Sequence, residues 1–183
     1  DVQFHVIMFS ADKPGERLHP FSGYTVSVCQ LRPESRGHLA LQSPDPSVPP
    51  AIHPNYLATE GDRRTMRDGV RLARRIASRQ PLAGLHRREV LPGPGCATDE
   101  DVMGFIRRTG GTIFHPTSTC RMGRGDDPDV VCDPRLRVRG LEGLRVADAS
   151  IMPAVVSGNT NAPCIMIGEK ASDMILEDAR AAA

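Results

Sequence analysis

The sequence predicts an α+β fold in which an antiparallel or mixed sheet is backed by helices. Two segments rich in β-favouring residues, 2–9 and 24–31, come first along the chain. Apolar residues then recur at helical spacing over 62–79, and further helices are expected from Thr98 and over 165–179. Strands that are followed by helices and then by more short strands favour this class over a regularly alternating wound sheet.

The second strand is expected to pair in a hairpin with the segment that follows it. Apolar and polar residues alternate over 24–31, which is the period of a half-buried strand. Arg36-Gly37 predicts a turn, after which residues 38–42 return beside that strand. Residues 43–54 are rich in proline, which lacks the amide hydrogen that a sheet needs, so no regular structure is expected there.

The first two helices are predicted from their apolar stripes and their ends. The clearest helix spans 62–79 and ends before Pro81, with a stripe formed by Met66, Val70, Ala73 and Ala77. Thr98 offers an N-cap oxygen to the second helix, whose acidic first turn suits the positive end of the helix dipole. Gly110-Gly111 is expected to end that helix. Its buried face is expected to consist of Val102, Phe105 and Ile106.

The last part of the chain is expected to hold loops, short strands and a terminal helix. Strand candidates are 136–138 and 144–146. Asn161 is a candidate N-cap for the terminal helix over 165–179, and Pro163 suits a helix start. This helix is apolar on much of its surface, so it is expected to need cover on more than one face.

Composition excludes several classes of function. The formal net charge of the 183 residues is +1, which gives no electrostatic reason to expect nucleic acid or an anionic membrane as a partner. No apolar run approaches the roughly 20 residues that span a bilayer, so no transmembrane segment is expected. The 5 cysteines include no C-x-x-C pair and fit reduced thiols in a cytoplasmic protein.

Some familiar motifs do not hold under inspection. Gly93-Pro94-Gly95 lacks the preceding strand and the third glycine of a dinucleotide fingerprint. No G-x-S-x-G is present to form a hydrolase nucleophile elbow. His115, Cys120 and Cys132 match no standard zinc spacing, and Cys120 fits a small buried residue better than a nucleophile.

Two segments do carry a specific signal: FHPTSTCRMG at 114–123 and LRVADASIMPAVVSGNTNAPCIMIGEKASD at 144–173. Together they resemble the C-terminal signature of the glucose-methanol-choline oxidoreductases, and most closely the choline dehydrogenase-like branch. Residues 31–41, 62–77 and 133–140 also look like that branch, and all these segments occur in the family's order.

The resemblance implies roles for individual residues. His115 would be the catalytic base or acid, and Asn159 would occupy the second catalytic position, where the choline-like branch typically has asparagine. The residues expected to approach or border the flavin are Asp148, Ala149, Thr160 and Asn161. The sequence departs from the family at Ser118, where glycine is more usual, and at Cys132.

The resemblance also implies how the chain is organised. Residues 1–111 would be a portion of the substrate-binding domain, and residues 112–183 a catalytic loop and a C-terminal segment that packs on the FAD domain. No FAD-binding Rossmann unit is present, and the chain opens without Met on a strand-like run, so it is expected to be a fragment or a processed subunit. FAD would be the cofactor and a small alcohol the substrate. The partner would be an N-terminal FAD-binding polypeptide of the same enzyme.

The chemistry of alcohol oxidation fits these residue types. An imidazole that titrates near pH ~6.5 can take a hydroxyl proton at neutral pH. A neutral amide can hold the alcohol oxygen so that the C–H bond points at the flavin, and a helix N-terminus suits the anionic edge of a reduced flavin.

The sequence also permits other functions for the chain and other roles for these residues. The family also includes a hydroxynitrile lyase and a photodecarboxylase, and the chain could be a non-catalytic fragment or an interaction subunit. His115 could be only a turn residue, Asp148 a strand-end cap, and Asn159 and Asn161 a turn and a helix cap.

Overall fold

The computed structural model of the protein describes residues 1–12, 15–125 and 127–181. These residues form two compact units. The first unit contains residues 1–36 and 55–113, and the second contains residues 37–54 together with the described residues from 114 onward.

The first unit begins with a two-stranded antiparallel sheet. Strand β1 spans Val2–Ile7 and strand β2 spans Thr25–Gln30, with Val2 opposite Gln30 and His5 opposite Ser27. Helix α1, Glu60–Ala77, packs against this sheet. The approach is close at Gly69, where a Cβ atom would lie only 2.5 Å from Val28 Cγ1, so a larger residue could not be accommodated without a shift.

The core of the first unit lies between α1 and helix α3, Asp99–Thr109. Thr98 caps α3, as the sequence predicts, and the structure adds a reciprocal capping box with Asp101. Val102 and Ile106 are buried as expected, whereas Met103 is buried in addition and Phe105 packs only at the margin. A single helical turn, α2, Leu82–Leu85, follows Pro81 and was not predicted.

The predicted hairpin between β2 and residues 38–42 is wrong. Strand β3, His38–Ala40, pairs antiparallel with strand β4, Ala51–His53, while β2 pairs with β1. A strand can form inside the proline-rich segment because its three residues contain no proline and keep their amide hydrogens. Gly37 permits this pairing, since a Cβ atom there would collide with the carbonyl oxygen of His53.

The second unit is built around helix α4, Asn161–Ala181. A 3₁₀ turn, Ala149–Ile151, precedes it and contacts it. The predicted strands at 136–138 and 144–146 are present only as isolated bridges. The apolar core of this unit is a cluster of buried residues: Cys132, Leu136, Ile151, Met152, Ile167 and Ala171.

Two arginines attach α4 to the loops of the second unit. Arg135 reaches Asp178 with 2.6 Å between Nη2 and Oδ1, and Arg145 binds the other carboxylate oxygen. The two guanidinium groups lower the pKa of Asp178, with the hydrogen bond from Arg145 as the largest cause. In the described part of the chain, no helix combines the length and apolar character needed to cross a lipid bilayer.

Candidate active site

The loop that carries His115 is fixed to the 3₁₀ turn by backbone hydrogen bonds. The amide of Cys120 donates to the carbonyl of Ser150 at 2.9 Å, and the amide of Met122 donates to that of Ile151 at 2.8 Å. The two segments that carry the sequence signature therefore lie side by side.

The 3₁₀ turn is itself held at both ends. Asp148 caps it by accepting hydrogen bonds from the amide of Ser150 at 2.7 Å and from the Ser150 hydroxyl at 2.5 Å. Ile151 is buried in the cluster that also contains Ile167 and Ala171 of α4. The loop of His115 is thus positioned with respect to the start of α4.

The two residues immediately before α4 bind the ring of His115. Asn159 Nδ2 lies 3.0 Å from His115 Nε2, and Thr160 Oγ1 lies 2.9 Å from His115 Nδ1. The structure therefore brings together the two residues predicted to be catalytic, although they are 44 positions apart in sequence.

The three side chains differ in exposure. Thr160 is buried, with 7% of its surface exposed, His115 is half-buried and Asn159 is exposed. The imidazole is therefore held from a buried side at Nδ1, while its Nε2 edge faces a side chain that is open to solvent. A ligand that approaches from the Asn159 side can reach Nε2.

The start of α4 differs from the prediction, because the helix begins four residues before the predicted start at 165. Asn161 is the first residue of the helix and is exposed, so it is not the N-cap. The carbonyl of Thr160 accepts the first helical hydrogen bond, from Cys164 at 3.0 Å, which places Thr160 at the cap position. Its hydroxyl contacts His115 instead.

The backbone on both sides of His115 adopts the left-handed region. Phe114 has φ of 60° and Ser118 has φ of 75°, values that residues other than glycine rarely take. Such conformations cluster at functional sites, where surrounding contacts hold them. The Phe114 side chain is 81% exposed beside the predicted base, which sequence reasoning did not point out.

The chain is similar to known proteins along most of its length. A family model described as GMC oxidoreductase matches residues 33–168. The chain is 44% identical over 176 residues to an alcohol dehydrogenase (acceptor) of Pseudomonas putida, covering 96% of this chain and 32% of that relative. It is also 44% identical over 175 residues to the mitochondrial choline dehydrogenase of Mus musculus, covering 96% and 29%.

A solved structure of formate oxidase from Aspergillus oryzae RIB40, which concerns modification of its FAD, matches with a TM-score of 0.84. The identity is 29%, over 92% of this chain and 30% of that chain. The chain belongs to the GMC oxidoreductase family. Both the resemblance and the α+β class predicted from the sequence are thereby confirmed.

This GMC oxidoreductase chain spans about a third of the length of the relatives it matches. Of the residues predicted to border the flavin, Asp148 and Asn161 have exposed side chains, Ala149 is half-buried and Thr160 is buried. Those flavin contacts stay predictions. The contact between Thr160 and His115 was not foreseen, and no sequence signal beyond its position next to Asn159 could have indicated it.

The two cysteines near the site, Cys120 and Cys132, belong to the apolar packing of the second unit. Burial raises the pKa of the Cys132 thiol, and the neighbouring Cys120, Asp133 and Asp148 raise it further. Cys132 therefore stays protonated near neutral pH and packs in the apolar cluster. Among residues 1–12, 15–125 and 127–181, no group of three or more His, Cys, Asp or Glu side chains is arranged to hold a metal ion.

Proposed function

We propose that this chain is the C-terminal part of an FAD-dependent GMC oxidoreductase that oxidises an alcohol, with His115 as the general base. The observation that carries the proposal is the half-buried His115 ring, hydrogen-bonded at 3.0 Å to the exposed amide of Asn159. Its relatives include an alcohol dehydrogenase and a choline dehydrogenase, which supports a CH–OH donor.

His115 is suited to take the hydroxyl proton. Its Nε2 atom faces the exposed side chain of Asn159. An alcohol that approaches from this side can replace the Asn159 amide as the hydrogen-bond partner of Nε2. The O–H bond of the alcohol breaks as an Nε2–H bond forms. The electron pair left on the oxygen then forms the second C–O bond of the carbonyl product at the carbon that bears the hydroxyl. Bound FAD would supply the acceptor for the hydride that leaves this carbon.

Asn159 is suited to position the alcohol. Once its amide is released from Nε2, it can donate a hydrogen bond to the alcohol oxygen and hold the carbon in a defined direction. Because the amide is neutral, this interaction does not titrate over the working pH range.

The donor groups at the start of α4 fit a flavin ring. The first amide hydrogens of an α-helix have no partner within the helix, and they mark its positive end. Asn161 is exposed there, directly after the two residues that bind His115. Asn161 and the first turn of α4 would hold the polar edge of the ring, while Asp148 and Ala149 would approach it from the 3₁₀ turn.

A separate FAD-binding part of the same enzyme is the proposed partner. Residues on the outer face of α4 are apolar yet exposed, including Ile165 at 60% and Met166 at 54%. Such a surface is costly in water and typical of an interface. The FAD-binding part would cover it, in agreement with the third of the relatives' length that this chain spans.

The proposal is tested on the complete enzyme, this chain together with its FAD-binding part. We expect the purified protein to show flavin absorption and a primary alcohol to bleach that absorption in the absence of oxygen. An artificial electron acceptor should then restore the absorption and allow repeated turnover. Bound flavin that no alcohol bleaches, with choline and benzyl alcohol among those tried, would overturn the proposal and favour a lyase or another flavin chemistry.

A further inference from the structure

The geometry points to Thr160 as the positioning residue that fixes the tautomer and orientation of His115. This inference rests on the proposed function, because it concerns the base of that reaction. It gives the Thr160 side chain a role different from the flavin contact that the family resemblance implies.

The hydrogen bonds of the imidazole define a single tautomer. The Nδ2 atom of Asn159 carries only hydrogens to donate, so the Nε2 atom of His115, 3.0 Å away, accepts with its lone pair. A neutral imidazole has one donor and one acceptor nitrogen, so Nδ1 bears the hydrogen. Nδ1 therefore donates to the hydroxyl oxygen of Thr160 at 2.9 Å.

Thr160 is the fixed member of this arrangement. Its surface is 7% exposed, and its carbonyl oxygen accepts from the amide of Cys164 at 3.0 Å in the first turn of α4. The helix is anchored in turn by Ile167 and Ala171, which are buried in the apolar cluster of the second unit. Asn159, by contrast, is exposed and can exchange its partner for a substrate.

This geometry suits a base because it keeps the Nε2 lone pair available. When His115 takes a proton at Nε2, its Nδ1–H bond to Thr160 is retained, so the buried side needs no rearrangement. Without the hydroxyl, the ring is free to rotate or to place its hydrogen on Nε2, where it cannot accept a proton. Thr160 thus acts through His115 and touches neither substrate nor flavin in this role.

The test compares Thr160→Val, which removes the hydroxyl at nearly the same volume, with Thr160→Ser, which keeps it. In the complete flavin-loaded enzyme, we expect Thr160→Val to lower the limiting rate of flavin reduction by roughly ten- to hundredfold. Flavin content and the apparent affinity for alcohol should stay near wild type. Thr160→Ser should recover most of the rate.

A second measurement does not depend on activity. In enzyme labelled with ¹⁵N-histidine, the His115 resonances are identified by their loss in His115→Ala. The wild type should show a protonated Nδ1 and a bare Nε2, and Thr160→Val should show the other tautomer or a mixture. A wild-type His115 that carries its hydrogen on Nε2 would overturn the inference, even if the Val variant failed to fold.

The remaining outcomes separate this inference from the proposed function. Loss of flavin from Thr160→Val, with an unchanged rate per bound flavin, would assign Thr160 to the flavin and overturn the inference. A slow His115→Ala beside a Thr160→Val with normal rate and tautomer would also overturn it, while the proposed function would stand. If His115→Ala itself reduced flavin at the normal rate, the proposed function would fail.

Discussion

Each unit of the molecule holds a polar side chain beside the first turn of a helix, and the two are surrounded in opposite ways. Asp62 of α1 is 1% exposed and accepts hydrogen bonds from Gln30 at 2.6 Å, from the amides of Glu34 and Ser35 at 2.9 and 2.8 Å, and from the Ser35 hydroxyl. His115 is half-buried, and one of its two side-chain partners is exposed.

The difference separates a side chain that is enclosed by its partners from one that has an exposed partner. Burial resists ionisation of Asp62, but the hydrogen bonds from Ser35, Glu34 and Gln30 outweigh it and hold the pKa at about 2. Four donors use the capacity of a carboxylate, so Asp62 ties the 30–35 segment to α1 and has nothing to offer a ligand. At His115 the Asn159 partner is exposed, and this accessibility distinguishes the two sites more clearly than residue type does.

The largest expected effect is on catalysis at His115. We expect His115→Ala to slow flavin reduction by about 10²–10⁴-fold, the usual contribution of one positioned acid–base group. In wild type the rate should rise with pH through one ionisation and then level off, because a base must be neutral to accept a proton. The rate of the variant should lack this rise with pH (the pH limb) and should instead increase with hydroxide concentration. Rapid mixing with alcohol across pH measures both.

A matched control for that variant is His38→Ala, since His38 is an exposed histidine of the same unit. It should leave the rate and the pH limb as in wild type. If His115→Ala kept both the rate of flavin reduction and the pH limb of wild type, the base would be another residue. The proposed functional difference between His115 and Asp62 would then be wrong.

The next effect is on stability at Asp62. Asp62→Ala should lower the free energy of unfolding by about 2–4 kcal/mol, because it leaves the amides of Glu34 and Ser35 without their charged acceptor. Turnover per folded enzyme should change little. Asp68→Ala on the same helix is the control: Asp68 is exposed and its Arg71 contact is 3.9 Å, so about 0.5 kcal/mol or less is expected.

The Asp62 contribution should depend on pH with a defined sign. Because its folded-state pKa, about 2, lies below the ordinary 3.8, the stabilisation is complete above pH 3.8 and is lost as pH falls towards 2. Urea unfolding of wild type and Asp62→Ala should therefore give a constant difference at pH 5–7 that narrows below pH 4. A difference that did not change between pH 6 and pH 2.5 would show that the charge of Asp62 is unimportant.

Asn159 should give an intermediate effect. Asn159→Ala removes a hydrogen bond to the reacting oxygen and should slow flavin reduction by about ten- to hundredfold. Asn159→His should keep measurable activity, since a ring nitrogen can also donate to the alcohol. Flavin content per protein should be unchanged in both, as measured by absorbance. Loss of flavin from the Ala variant, with normal catalysis per bound flavin, would show that Asn159 is structural.

The two regions also differ in how far sequence could predict them. The Thr98 cap of α3 and the apolar stripe of α1 are local patterns, and both were found at their predicted places with small shifts at the helix ends. The hydrogen bonds of Asp62 join residues about 30 positions apart. The pairing of β3 with β4 depends on a close approach at Gly37. Such tertiary contacts leave no periodic signal.

At the candidate site, the family motifs led to predicted roles for individual residues but did not indicate what each one touches. The contact between His115 and Asn159 is consistent with their predicted roles, which stay predictions. The cap position of Thr160 was assigned to Asn161 instead, because either residue type can cap a helix and sequence alone places helix ends within one or two residues. The contact of Thr160 with His115 depends on the direction of one hydroxyl, which spacing does not encode.

The smallest effect is expected at Ser118, one of the two positions where the sequence departs from the family. Its φ of 75° is a conformation that costs a side-chain-bearing residue about 1–2 kcal/mol, whereas glycine adopts it freely. Ser118→Gly should therefore raise the free energy of unfolding by up to about 1 kcal/mol, after the greater freedom of glycine in the unfolded chain is subtracted. The control is Ser172→Gly within α4, where the same replacement should destabilise by about 0.5–1 kcal/mol. Equal destabilisation by both replacements in urea unfolding would mean that Ser118 is not strained.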